Sequence, residues 1–108
     1  LAKKPAGKRA AEPRAHADPY LAQLHAVRET LTRGYRDFAD RGPLVLLFDV
    51  EEVRVYVYPF DGFRADLSLA SQASLDEQWR AAQQHGEQVV FVRDNSARRL
   101  RSYSLNIE

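Results

Sequence analysis

The apolar residues of this chain follow two rhythms. Over residues 18–42, Tyr20, Leu24, Val27, Leu31, Tyr35 and Phe38 recur at spacings of three and four, which gathers them into one stripe along a helix. Asp18 before Pro19 reads as an N-cap with proline at the first helical position, where its missing N–H costs nothing, and Gly42-Pro43 reads as a stop. One helix is predicted over that span. Residues 44–48 are then an unbroken apolar run, the pattern of a strand buried on both faces. After a turn over 49–52, Val53, Val55 and Val57 alternate with Arg54, Tyr56 and Tyr58, so a second strand is predicted with the arginine and both tyrosines on one face.

Pro59-Phe60-Asp61-Gly62 is turn chemistry. Beyond it Phe63, Ala65, Leu67 and Leu69 alternate with Arg64, Asp66 and Ser68, which favours a third strand over a short helix. Ser74 with Glu77 forms a capping-box pattern, and Leu75, Trp79 and Ala82 make a stripe ending before Gly86, so the second helix is predicted there. Residues 89–92 read as another buried strand, Asp94-Asn95-Ser96 as a turn, and 100–107 as a last strand alternating Tyr103, Leu105 and Ile107 with polar residues. The predicted fold is α+β in the order αβββαββ: a largely antiparallel five-stranded sheet packed with two helices, forming a single domain over 18–108. No internal repeat is visible, and no stretch, the run Val-Phe-Val-Arg-Asp-Asn at 90–95 included, carries a motif that names a family.

Composition changes this picture mainly at the N-terminus. Residues 1–17 contain Pro5, Pro13, Gly7 and alanine clusters but no aromatic or β-branched side chain, too little apolar surface to offset the entropy of ordering. They are expected to form a disordered basic tail or linker. All three lysines, Lys3, Lys4 and Lys8, lie there with Arg9 and Arg14, whereas the rest of the chain holds only arginines as cations and a slight excess of carboxylates. The 108 residues are one domain's worth and contain no cysteine, which excludes disulfides, zinc-thiolate sites and a cysteine nucleophile. No apolar run approaches the roughly 20 residues that cross a bilayer, and no signal-peptide core is present, so a soluble, cytoplasmic protein with no membrane association is expected. The absence of methionine, even at position 1, suggests a piece of a longer chain.

Enzyme signatures are missing. Gly-x-Ser-x-Gly, the phosphate-binding loop and Gly-x-Gly-x-x-Gly do not occur. His16, His25 and His85 have no partner at metal-ligand spacing, and no cofactor is predicted. The carboxylates Asp49, Glu51, Glu52 and Asp61 raise the idea of a metal-dependent nuclease, but a strand separates the first three from Asp61. Only convergence of Asp49, Glu52 and Asp94 would revive it.

Two clusters remain. Arg54, Tyr56 and Tyr58 are predicted to share a strand face, and Tyr and Arg are the residues that anchor protein interfaces. A non-enzymatic domain that binds a protein partner or a second copy of itself, a homodimer for instance, through that face is the preferred expectation. If the first helix covers the face, the tyrosines become core instead, with their hydroxyls at the rim. Arg93, Arg98, Arg99 and Arg101 surround the last hairpin, where guanidinium forks suit oxyanions. With Lys3, Lys4, Lys8 and Arg9 of the tail they frame the alternative, a nucleic-acid accessory protein with salt-sensitive phosphate contacts.

Overall fold

The computed structural model describes residues 18–107. In chain order they form helices α1 (Pro19–Ala26) and α2 (Arg28–Phe38), a 3-10 turn (Ala39–Arg41), strands β1 (Leu44–Asp49) and β2 (Arg54–Pro59), helices α3 (Phe60–Ala65) and α4 (Leu69–Gln84), and strands β3 (Gln88–Asp94) and β4 (Arg99–Leu105). The fold is α+β, and the described residues hold four α-helices and a four-stranded mixed sheet in the order β2-β1-β3-β4. The central strands β1 and β3 run parallel, and β2 and β4 flank them as antiparallel edges.

Three expectations are corrected here. The first helix is two: the chain breaks at Val27 (φ −105°, ψ 19°) before resuming at Arg28. The apolar stripe runs through the break because both pieces pack on the same layer. The third strand is absent. Phe60, Phe63 and Leu67 follow helical spacing and all enter one core cluster, while Leu69 is 83% exposed and does not share their face. Gln72 Nε2 donates to the carbonyls of Arg64 and Leu67, and Arg64 grips Asp76 through two 2.8 Å bonds, which pins α3 against α4. The second helix also starts earlier than the Ser74 capping box, at the N-cap Ser68, whose Oγ accepts from the Ser71 N–H at 3.2 Å. The sheet therefore has four strands rather than five, and its central pair is parallel because helices fill the connection from β2 to β3.

Helices cover both faces of the sheet. On one, Leu46, Phe48, Val90 and Val92 pack with Tyr20, Leu24, Leu31 and Ile107; on the other, Val45, Leu47, Val89 and Phe91 pack with Leu75, Ala82, Phe60, Phe63 and Trp79. This is why β1 and the first five residues of β3 are buried throughout. Fully burying one such aliphatic or aromatic side chain contributes about 1.5–3 kcal/mol.

The architecture is a repeat although the sequence does not look like one. Each half is helical segment, strand, four-residue turn, strand; the central strands are parallel and the helices lie on opposite faces. The topology has a pseudo-two-fold axis along the strands, under which the matching strand ends and turns pair Asp49 with Asp94, Val53 with Arg98, Arg54 with Arg99 and Tyr58 with Tyr103. In both turns the last strand residue is an aspartate capping the turn, Asp49 Oδ1 accepting from Glu52 N–H and Asp94 Oδ1 from Ala97 N–H. The fourth turn residue has positive φ in each: Val53 (51°) and Arg98 (56°).

Candidate functional site

Cross-strand register builds the site. Asp49 on β1 stands between Arg54 on β2 and Arg93 on β3, with Leu100 of β4 next in the row. Two residues down each strand, the next row on the same face is Tyr56, Leu47, Phe91 and Ser102. The predicted grouping of Arg54, Tyr56 and Tyr58 on one face therefore matches the register. What covers them is α3 with α4, not the first helical segment, which packs on Val55 and Val57 behind.

The tyrosines are half-buried members of a ring ladder. Tyr56 stacks on Tyr58 at 6.3 Å, Tyr58 meets Phe63 at 5.6 Å, and Phe63 meets Phe91 at 4.8 Å. The Arg54 and Arg93 guanidinium carbons lie 6.0 and 5.7 Å from the Tyr56 ring centre, within cation–π range. Its hydroxyl donates to Glu52 at 2.5 Å, and that bond to a carboxylate holds the Tyr56 phenol above its ordinary pKa.

Asp49 is the buried centre. Its side chain has no exposed surface, and Oδ2 accepts from Arg93 Nε at 2.8 Å. The turn N–H of Glu52 and then the Arg93 guanidinium hold its carboxyl below the usual carboxylate range. A carboxylate so placed stays ionised and aims Arg93. Among the described residues only Nε of that fork makes a hydrogen bond, and the Arg93 side chain is 34% exposed. Under the pseudo-two-fold, Arg93 corresponds to the buried Phe48, and Asp94 has the Tyr20 hydroxyl as partner where Asp49 has Arg93. The site lies where the halves differ.

Beside Arg93 a cleft of about 470 Å³ opens between α3 and the end of the sheet, lined by Leu47, Tyr58, Phe63, Leu67, Leu100 and Arg93, with Asp66 on its α3 side. It continues past Leu67 and Leu100 into a smaller groove of about 190 Å³ between α4 and β4, lined there by Ser71, Ser74, Gln78 and Ser102. Leu100 is 49% exposed. Sequence reasoning missed Phe63, Leu67 and Leu100 because the first two were placed on a strand; the helical spacing of Phe60, Phe63 and Leu67 was the available signal.

The four arginines of the last hairpin do not converge. Arg93 faces the α3–α4 side; Arg99 and Arg101 alternate onto the α1–α2 side, in a depression shared with Asp18, Tyr20, Gln23 and Asp94; Arg98 is in the turn. Lys3, Lys4, Lys8, Arg9 and His16 lie outside the described residues. Among the described residues no group of three or more histidines and carboxylates could hold a metal ion, and Asp49, Glu52 and Asp94 are held by Arg93, Tyr56 and Tyr20 respectively. His25 is exposed, and His85 is the exposed C-cap residue of α4. No described helix is long and apolar enough to cross a membrane.

Comparisons of the chain with protein-family models, with curated proteins and with solved structures find no match.

Proposed function

We propose that this protein is a small non-enzymatic binding domain that takes a segment of a partner protein in the cleft between α3 and the end of β4. The observation that carries the reading is a half-exposed Leu100 beside an aromatic-walled cleft, next to an arginine whose direction is set by a buried aspartate. An apolar side chain would fill the space between Phe63, Leu67 and Leu100. The Arg93 fork, fixed through Nε, would donate from its terminal nitrogens to a carbonyl or carboxylate oxygen of the same segment. Small binding sites combine these parts, apolar walls for affinity and a few fixed polar groups for orientation. Tyr58 then forms part of the cleft wall, and Tyr56 supports it through their stacked rings.

Leu100→Glu is the test. The position is exposed on an edge strand opposite Arg93, so the new carboxylate gains a cross-strand partner and the fold is retained. Peptides selected from a random displayed library on the wild-type domain are expected to lose at least about tenfold in affinity for the variant, the scale of one buried apolar side chain. Its thermal unfolding should stay close to wild type. Failure to select any peptide, or selected peptides indifferent to the substitution, overturns the reading.

A further inference from the structure

Of the two sheet edges, β2 is partly buried over residues 55–58, with Val55 and Val57 packed on one face and Tyr56 and Tyr58 on the other, and it ends in Pro59, which has no N–H to offer a further strand. The β4 edge is different. Its residues 99–102 are all exposed, and among the described residues no further strand pairs with it. Such an edge carries a row of main-chain donors and acceptors that can template another strand.

The side chains along this edge alternate strictly. Arg99 and Arg101 project to one side of the sheet; Leu100 and Ser102 project to the other, where they line the grooves below α3 and α4. The nearest carboxylates, Asp94 and Asp18, accept from the Tyr20 and Tyr103 hydroxyls at 2.7 Å and stay ionised, so they offset part of the charge of Arg99 and Arg101; among the described residues neither arginine closes an ion pair with them, and both keep donors for a strand laid outside. Arg98 adds a third cation at the turn. A second copy of β4 laid on this edge would bring these arginines close to their own kind, and like charges on neighbouring strands repel. An acidic strand would meet the opposite situation.

We infer that β4 is a strand-addition edge for an extended partner segment in which acidic and apolar residues alternate. Its main chain pairs with β4, its acidic side chains lie beside Arg99 and Arg101, and its apolar side chains turn to the other face, toward Leu67 and Leu100. This rests on the proposed binding function and names the partner's chemistry and mode of docking. The same arginines that keep two copies from pairing select the partner, so attraction and exclusion come from one pair of residues.

The probes are four labelled hexapeptides titrated by fluorescence anisotropy: alternating Glu-Val, alternating Lys-Val, Glu-Val with a central valine replaced by proline, and Glu-Val N-methylated at its central amides. The Glu-Val peptide is expected to bind at least tenfold more tightly than the other three, with affinity falling as salt rises. The double variant Arg99→Glu with Arg101→Glu is expected to prefer the Lys-Val peptide. If that variant does not fold, the four peptides on the wild-type domain decide alone. Equal binding of the Glu-Val, proline and N-methylated peptides overturns strand addition while leaving the cleft reading intact. Equal binding of the acidic and basic peptides overturns the charge selection. No Glu-Val binding, with library peptides still lost on Leu100→Glu, overturns this inference alone; no peptide binding of any kind overturns both.

Discussion

Asp49, the last residue of β1, and Val53, the fourth residue of the turn that follows, show how differently a single side chain can serve one turn. Asp49 caps the turn through Oδ1 and aims Arg93 through Oδ2, so one buried carboxylate satisfies a local and a long-range demand. Val53 does neither. It is 69% exposed and held at φ 51°, a left-handed conformation in which a β-branched side chain crowds its own backbone. That crowding costs about 1–2 kcal/mol for an ordinary L-residue. Val53→Asn, which tolerates the conformation and removes no buried contact, is therefore expected to stabilise the domain by about 1 kcal/mol in urea unfolding. An unchanged or lower midpoint would show that the valine makes a compensating contact. The sequence pointed the other way here, because Val53 extends the alternation of Val55 and Val57 and period alone cannot say which apolar residue lies past the end of a strand.

Among the elements, α2 and β2 approach closely at Gly34. Gly34 faces Val57 and Val55 where the helix crosses the strand, and a side chain there has to displace them. Gly34→Leu is expected to lower stability by about 1–3 kcal/mol, the usual range for overpacking, although leucine is the better helix former. A calorimetric melting temperature at or above wild type would mean the helix can lift off the strand without loss. Helices α3 and α4 tell a related story about legibility. The stretch 63–69 fits period two and 60–67 fits the helical period, and only packing distinguishes them, since Phe60, Phe63 and Leu67 find a common layer with Trp79 and Phe91. Arg54, Tyr56 and Tyr58 were legible as one face, because strand alternation is a local property. The half-burial of the two tyrosines was not, because it depends on a helix that local pattern misplaced.

At the scale of the whole molecule, titratable groups tie distant parts of the chain together. Tyr20 of α1 donates to Asp94 at the end of β3, and Tyr103 of β4 donates to Asp18 at the start of α1. Burial and the bond to Asp18 push the Tyr103 phenol up to about 12, and the bond to Asp94 raises that of Tyr20. A phenol raised in the folded state stabilises the fold fully below its unfolded pKa near 10 and loses that contribution as pH climbs toward the folded value. Stability is expected to fall between about pH 10 and 12, and Tyr103→Phe should flatten that fall in chemical unfolding measured across the window. The carboxylates act with the opposite sign. Arg93 and the turn amide at Asp49, Tyr20 at Asp94 and Arg64 at Asp76 hold those groups below 3.8, so their contribution is present above that value and disappears as pH drops through the folded ones. An alkaline limb unchanged by Tyr103→Phe would show that this phenol does not govern it.

The sequence by itself determined the start of the first helical segment, both central strands, the second strand's two faces and the last hairpin, because caps, turns and periodicity are set by residues within a few positions of one another. The tertiary structure alone decided that α3 is a helix, that β1 and β3 lie side by side in parallel, and that two αββ halves face opposite ways across the sheet. It also decided the cleft. Asp49, Arg93, Leu100 and Phe63 come from four separate elements, and nothing in their local spacing brings them together; the register of three strand pairings and the cover of α3 do. Local pattern specifies which side of an element is apolar, whereas a site between elements exists only once those sides have been paired.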